Sequence, residues 1–150
     1  MPFVKLHYHL FWAFKNRARA LTPELEADLF PYLVAEAHHL GCQALAINGC
    51  EDHVHVVVSA PPTLAVSDLV KGLKGASAHA LGVHWQVGYG AFTVGERGLP
   101  VAVAYVENQK NHHARKTTFP ALECWEDPAV PSHAAREEAG EYIVDGEGLE

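Results

Sequence analysis

The sequence predicts an α+β fold: an antiparallel sheet built in the order β-α-β-β-α-β, followed by one further helix. Three observations carry that prediction. Residues 5–15 and 52–59 alternate apolar and polar side chains with the two-residue period of strands. Two stretches bounded by helix start and stop signals, 22–40 and 67–81, lie between strand-like runs. A short strand-like segment, 89–94, then precedes a last helical stretch. That order is the split βαβ, ferredoxin-like arrangement. Both crossover helices should cover one sheet face, and the last helix should lie across the other.

In the first strand Leu6, Tyr8, Leu10, Trp12 and Phe14 share one side; His7, His9, Phe11, Ala13 and Lys15 share the other. Thr22-Pro23 starts the first helix, a hydroxyl cap followed by proline at the first helical position. The helix should run to about Leu40 and stop at Gly41, with a kink or break near Phe30 because Pro31 lies inside it. Residues 42–49 form a second strand that turns near Gly49. The third, 52–59, puts Val54, Val56 and Val58 on one face and His53, His55, Val57 and Ser59 on the other, and Pro61-Pro62 ends it. Ser67 or Asp68 opens the second helix, which reaches about Leu81. Gly98 to Pro100 lead into the third, which should continue to about Arg115. Residues 120–150 are rich in Pro, Gly, Ala and Glu, with a short helix expected around Ala134–Ala139.

At 150 residues the chain suggests one main domain able to bury a core. We divide it into a domain over 1–119 and an acidic C-terminal extension over 120–150. The net charge of −7 argues at first against a nucleic-acid partner. Residues 1–119, however, hold ten Lys/Arg against nine Asp/Glu, whereas 120–150 hold one Arg against nine Asp/Glu. The acidity is thus a property of the tail, and a local basic groove remains compatible with the front of the chain. No run of about 18 apolar residues suggests a membrane span, and Met1-Pro2-Phe3-Val4-Lys5 lacks the shape of a signal peptide. Cys42, Cys50 and Cys124 are odd in number without paired spacing, which suggests reduced thiols and a cytoplasmic protein.

The candidate chemistry sits in two places. His53-Val54-His55 places two imidazoles on one strand face, where both can reach one metal ion. Such a pair alone is a weak signal, since His7-Tyr8-His9 repeats it on the first strand. Asp52 would either orient an imidazole by a hydrogen bond or serve the turn. Tyr105 and Gln109 are four apart on the last helix and share a face. A carboxamide oxygen suits a hard ion such as Mg²⁺ or Mn²⁺, and such a set leaves coordination positions open for substrate oxygens. Tyr105 could then attack phosphorus; the alternative is a packed tyrosine beside a solvated glutamine. Lys15, Arg17, Lys71, Lys74 and His112 are candidate phosphate contacts, against the alternatives of solvated faces and, for His112, a helix end favoured by the dipole. Trp85-Gln86 and Tyr89-Gly90 would frame bases or close the core.

Taken in order, these stretches resemble the small HUH single-tyrosine transposases of bacterial insertion sequences, most closely the branch related to REP-associated tyrosine transposases. The resemblance rests on Tyr8-His9 with Lys15-Asn16-Arg17, Glu51-Asp52-His53-Val54-His55, Pro61-Pro62, Leu73-Lys74-Gly75, Trp85 to Phe92, and Tyr105 to Gln109 followed by His112-His113. It covers roughly residues 6–119. It implies a metal-dependent single-strand DNA transposase on a ferredoxin-like core, with His53, His55 and Gln109 binding Mg²⁺ or Mn²⁺ and Tyr105 as nucleophile. It further implies a 5′-phosphotyrosine intermediate with release of a 3′-OH, recognition of DNA hairpins, and a homodimer, often with the tyrosine helix of one subunit completing the other's site, so that the tyrosine acts either in cis or in trans. The segment between Gly75 and Trp85 is shorter than in many relatives, and the acidic tail should point away from DNA. A domesticated hairpin-specific nuclease would carry the same residues. A noncatalytic single-strand nucleic-acid binder would not need Tyr105, and a structural zinc protein would not need an open site.

Overall fold

Our structure, a computed structural model, describes residues 3–111. His112, His113, Cys124, the proposed helix around Ala134–Ala139 and the acidic extension lie outside them. The elements follow the expected order: β1 (Leu6–Ala13), α1 (Pro23–His39), β2 (Gln43–Cys50), β3 (His53–Ala60), α2 (Val66–Leu81), β4 (Gly90–Val94) and α3 (Leu99–Glu107). The strands form one four-stranded sheet in the order β2-β3-β1-β4, every neighbouring pair antiparallel. Because the order is permuted while neighbours run antiparallel, β1 and β2 are parallel, as are β3 and β4. Each of these parallel pairs is joined by a crossover helix.

The alternation in β1 and β3 decides the two faces. Leu10, Trp12, Val54, Val56 and Val58 face α1 and α2 and are fully or almost fully buried with Leu29, Leu33, Leu69 and Leu73. Each large apolar side chain so buried contributes about 1.5–3 kcal/mol. The opposite face carries a smaller cluster in which Ala46 and Val57, with Val94 of β4, meet Ala102 and Val106 of α3. Small side chains on both partners let α3 lie close across β2 and β3.

The boundaries that differ from expectation have local causes. β1 stops at Ala13 because the chain turns through a single 3-10 turn, Lys15–Arg17, with Asn16 and Arg17 both at positive φ. α1 is continuous through Pro31 and does not break near Phe30. Pro31 and Ala27, the residue whose carbonyl loses its partner, are both exposed, so water can take the place of the missing N–H. α2 begins at Val66 without a side-chain cap, ahead of the expected Ser67 or Asp68. α3 does not run unbroken to Arg115: it ends at Glu107, and Asn108 turns (φ −97°, ψ 17°) before residues 109–111 become helical again. The Asn108 side chain donates to the Ala104 carbonyl at 2.9 Å, a local bond of the kind that competes with a regular helix.

Candidate active site

β3 delivers His53 and His55 to the face covered by α3, where they are 1% and 0% exposed. Their ring centroids are 5.0 Å apart. Each imidazole is oriented from behind. His53 Nδ1 donates to Asp52 Oδ1 at 2.6 Å, so Nε2 is the nitrogen it presents inward. Asp52 in turn accepts from Arg17 Nε at 3.2 Å. Burial alone would raise the Asp52 pKa. The hydrogen bond from His53 and its charge, with Arg17 beside it, outweigh that and hold the carboxyl at about 2.

His55 shares a 2.9 Å hydrogen bond, Nδ1 to Nε2 of His9 on β1. Phe11 stacks on the His55 ring with centroids 5.3 Å apart, and Phe92 stacks behind Phe11 at 5.4 Å. This stack has room only because Gly90 lies across from Phe11 in the β1–β4 register. A Cβ at Gly90 would stand 2.1 Å from the Phe11 ring. The site therefore holds a third imidazole, His9, whose place the sequence pattern left undecided. The signal was the shared parity of His7, His9, His53 and His55 on paired strands.

α3 supplies the other half. Tyr105 is 3% exposed, with its ring centroid 6.2 Å from His55 and 6.3 Å from His9. Just past the turn at Asn108, Gln109 is fully buried, with Nε2 3.5 Å from His53 Nε2. Exchanging the amide nitrogen and oxygen by a half-turn would aim the carbonyl oxygen at the same spot. Among the described residues no three His, Cys, Asp or Glu side chains converge as a closed cage. A metal on this face would thus take two imidazoles and a carboxamide, a donor set that fits a divalent ion and leaves positions open.

Of the candidate phosphate contacts among the described residues, the fold brings only Arg17 to the site, and there it meets Asp52; His112 lies outside those residues. Lys15 is exposed in the turn after β1. Lys71 and Lys74 ride on α2, across the sheet from the histidines. Lys74 donates to the carbonyls of Gln86 and Gly88 at 2.6 and 2.9 Å and so fastens the loop ahead of β4. A cleft of about 810 Å³ beside the site reaches Asp52, Cys50 and Lys110 but not His53, His55 or Tyr105. Glu26 and Glu51 also line it, which ill suits a phosphate backbone. Among the described residues neither Cys42 nor Cys50 is in a disulfide. No helix among the described residues is long and apolar enough to cross a membrane.

Residues 2–109 match the family model described as transposase, IS200 like. The chain is 33% identical over 118 residues to the ISDra2 transposase TnpA of Deinococcus radiodurans, a match covering 70% of this chain and 84% of that protein. Among solved structures, a Deinococcus radiodurans R1 protein with a provisional transposase assignment superposes with a TM-score of 0.58. It shares 34% identity, over 72% of this chain and 93% of its own. A REP-associated tyrosine transposase bound to a REP hairpin superposes with a TM-score of 0.62, over 75% of this chain and 72% of its own. At 16% identity the latter likeness is one of fold.

Proposed function

The chain belongs to the IS200-like transposase family, and on that premise we propose that it is a metal-dependent enzyme that cuts and rejoins single-stranded DNA through Tyr105. The observation that carries the reading is the meeting, within one chain, of Tyr105 with His53, His55 and Gln109. In the proposed step the Tyr105 oxygen forms a bond to the scissile phosphorus as the bond from phosphorus to the 3′ oxygen breaks. The phenol proton is given up, and the departing oxygen leaves as a 3′-OH. The ester survives as a 5′-phosphotyrosine, so a 3′-OH can reverse the step and join strands without an outside energy source.

His53, His55 and Gln109 would hold Mg²⁺ or Mn²⁺, which when bound supplies positive charge to the phosphoryl oxygens. Asp52 and His9 orient the two imidazoles. All four principal side chains are at most 3% exposed. We take the partner to be single-stranded DNA with hairpin ends, met in the cytoplasm. The hairpin carried by the REP-associated fold neighbour supports this choice. We assign the chemistry to residues 1–119 of a homodimer and treat 120–150 as an extension.

The test is incubation of the full chain with Mg²⁺ and a panel of single-stranded hairpin oligonucleotides, followed by a denaturing gel. The wild type should give a protein–DNA adduct that resists denaturant. Tyr105→Phe should lose the adduct and retain hairpin binding. Cleavage that persists in the phenylalanine variant would show that the nucleophile lies elsewhere.

A further inference from the structure

β2 stands beside β3 with Asn48 directly across from His55 and Cys50 directly across from His53. Both β2 side chains reach the end of α3. Asn48 Nδ2 donates to the Glu107 carbonyl at 2.9 Å. Its Oδ1 accepts from Lys110 Nζ at 2.6 Å and from the Gly49 amide at 2.9 Å. Lys110 also donates to the Gly49 carbonyl at 3.2 Å and pairs with Glu26 of α1 at 2.6 Å. Cys50 Sγ lies 3.6 Å from the Gln109 carbonyl.

These bonds hold the Glu107 carbonyl before Gln109, the carbonyl of Gln109 itself and the Lys110 side chain after it, and the hold matters because of the turn at Asn108. Tyr105 rides on the regular part of α3, held by the apolar contacts of Ala102 and Val106. Gln109 lies beyond the turn, so the helix does not fix its place. The end of β2, which leads into His53, does so instead. It is tightly built: a Cβ on Gly49 would stand 2.4 Å from the His53 carbonyl oxygen.

Building on the reading of Gln109 as a ligand, we infer that Asn48 is a positioning residue, which with Lys110 sets the Gln109 carboxamide against His53. Its hydrogen bonds to Glu107 and Lys110 are exposed and add little to stability. Their effect is on where a ligand atom sits.

The experiment titrates the full chain with Mn²⁺ alone and reads free Mn²⁺ by electron paramagnetic resonance. The variants are Asn48→Ala, Lys110→Met, Gln109→Ala and the double variant Asn48→Ala/Gln109→Ala. Asn48→Ala should weaken Mn²⁺ binding about tenfold, as losses of supporting hydrogen bonds around a metal commonly do. Lys110→Met, which leaves Asn48 in place, should weaken it less. In the Gln109→Ala background the Asn48 change should have no further effect, because the group it positions is gone. The inference is overturned if Gln109→Ala weakens binding while Asn48→Ala and Lys110→Met do not. It is equally overturned if Asn48→Ala costs as much with Gln109 absent as present, since Asn48 would then act through the fold or through His55. Should Gln109→Ala itself leave affinity unchanged, the ligand assignment fails, and the positioning role falls with it.

Discussion

An imidazole binds a metal well when its far nitrogen is fixed, and the two histidines of β3 are fixed by different means. His53 leans on a carboxylate that stays charged across the physiological range, because Arg17 and His53 hold Asp52 at about 2. Arg17 reaches that carboxylate from a turn with two successive residues at positive φ, Asn16 and Arg17 itself. Such backbone costs about 1–3 kcal/mol per residue, so it persists where the surroundings impose it. Asp52→Ala should therefore weaken Mn²⁺ binding about 10- to 100-fold, measured by calorimetric titration, with Asp52→Asn between the two. An unchanged affinity would reduce Asp52 to a turn residue. At this scale the sequence was partly legible. The His-x-His spacing and the Tyr105–Gln109 interval named residues that the fold does bring together. It could not distinguish His9 from His7, because both share a parity; in the fold His9 bonds His55 whereas His7 pairs with Glu96. Nor could it show that Arg17 faces Asp52 and Lys74 faces two carbonyls, since a lysine or arginine in sequence looks alike whether it awaits phosphate or a backbone partner.

Among the elements, the strands were the most legible because alternation states directly which face is buried. The valines of β3 pack against α1 and α2, as their parity required, and the histidines take the other side. α3 was harder. Its apolar residues continue without a stop signal before Asn108, and Asn differs little in helix propensity from its neighbours. The side-chain bond from Asn108 to Ala104 that accompanies the turn is visible only in three dimensions. β4 shows how an edge element shapes the site without contributing a ligand. Gly90 stands opposite Phe11, and the Phe11 ring fills the space a methyl would need. Phe11 is fully buried between Phe92 and His55, so its ring has nowhere to withdraw. Gly90→Ala should cost about 1–3 kcal/mol in urea denaturation, as overpacking does. It should also weaken Mn²⁺ binding, because the displaced ring supports His55. Loss of stability with full metal affinity would mean that the stack packs the sheet but does not hold the imidazole.

Over the whole molecule, the sheet works as a partition. Its helical face holds the larger core, and the face under α3 holds the polar residues proposed to act. Charge follows a second partition along the chain, since residues 1–119 carry ten Lys/Arg and nine Asp/Glu while the acidic excess lies in 120–150. The organisation also bears on how a homodimer would use its two tyrosines. Ala102, Tyr105 and Val106 are buried against their own chain's sheet, and Asn48, Lys110 and Glu26 tie the end of α3 to its own β2 and α1. Exchange of α3 between subunits would have to break all of these contacts and rebuild them on the partner. Each site should accordingly draw its nucleophile and its proposed ligands from one chain. Co-expression of differently tagged Tyr105→Phe and His53→Ala chains, with purification of the mixed dimer, tests this. One-chain sites leave every site of that dimer defective, so no denaturant-resistant adduct forms on a hairpin oligonucleotide with Mg²⁺. Shared sites would instead pair the intact tyrosine of one chain with the intact histidines of the other. By symmetry they would restore about half of the wild-type sites in the mixed dimer. An adduct on the His53→Ala chain of that dimer would therefore refute the one-chain arrangement.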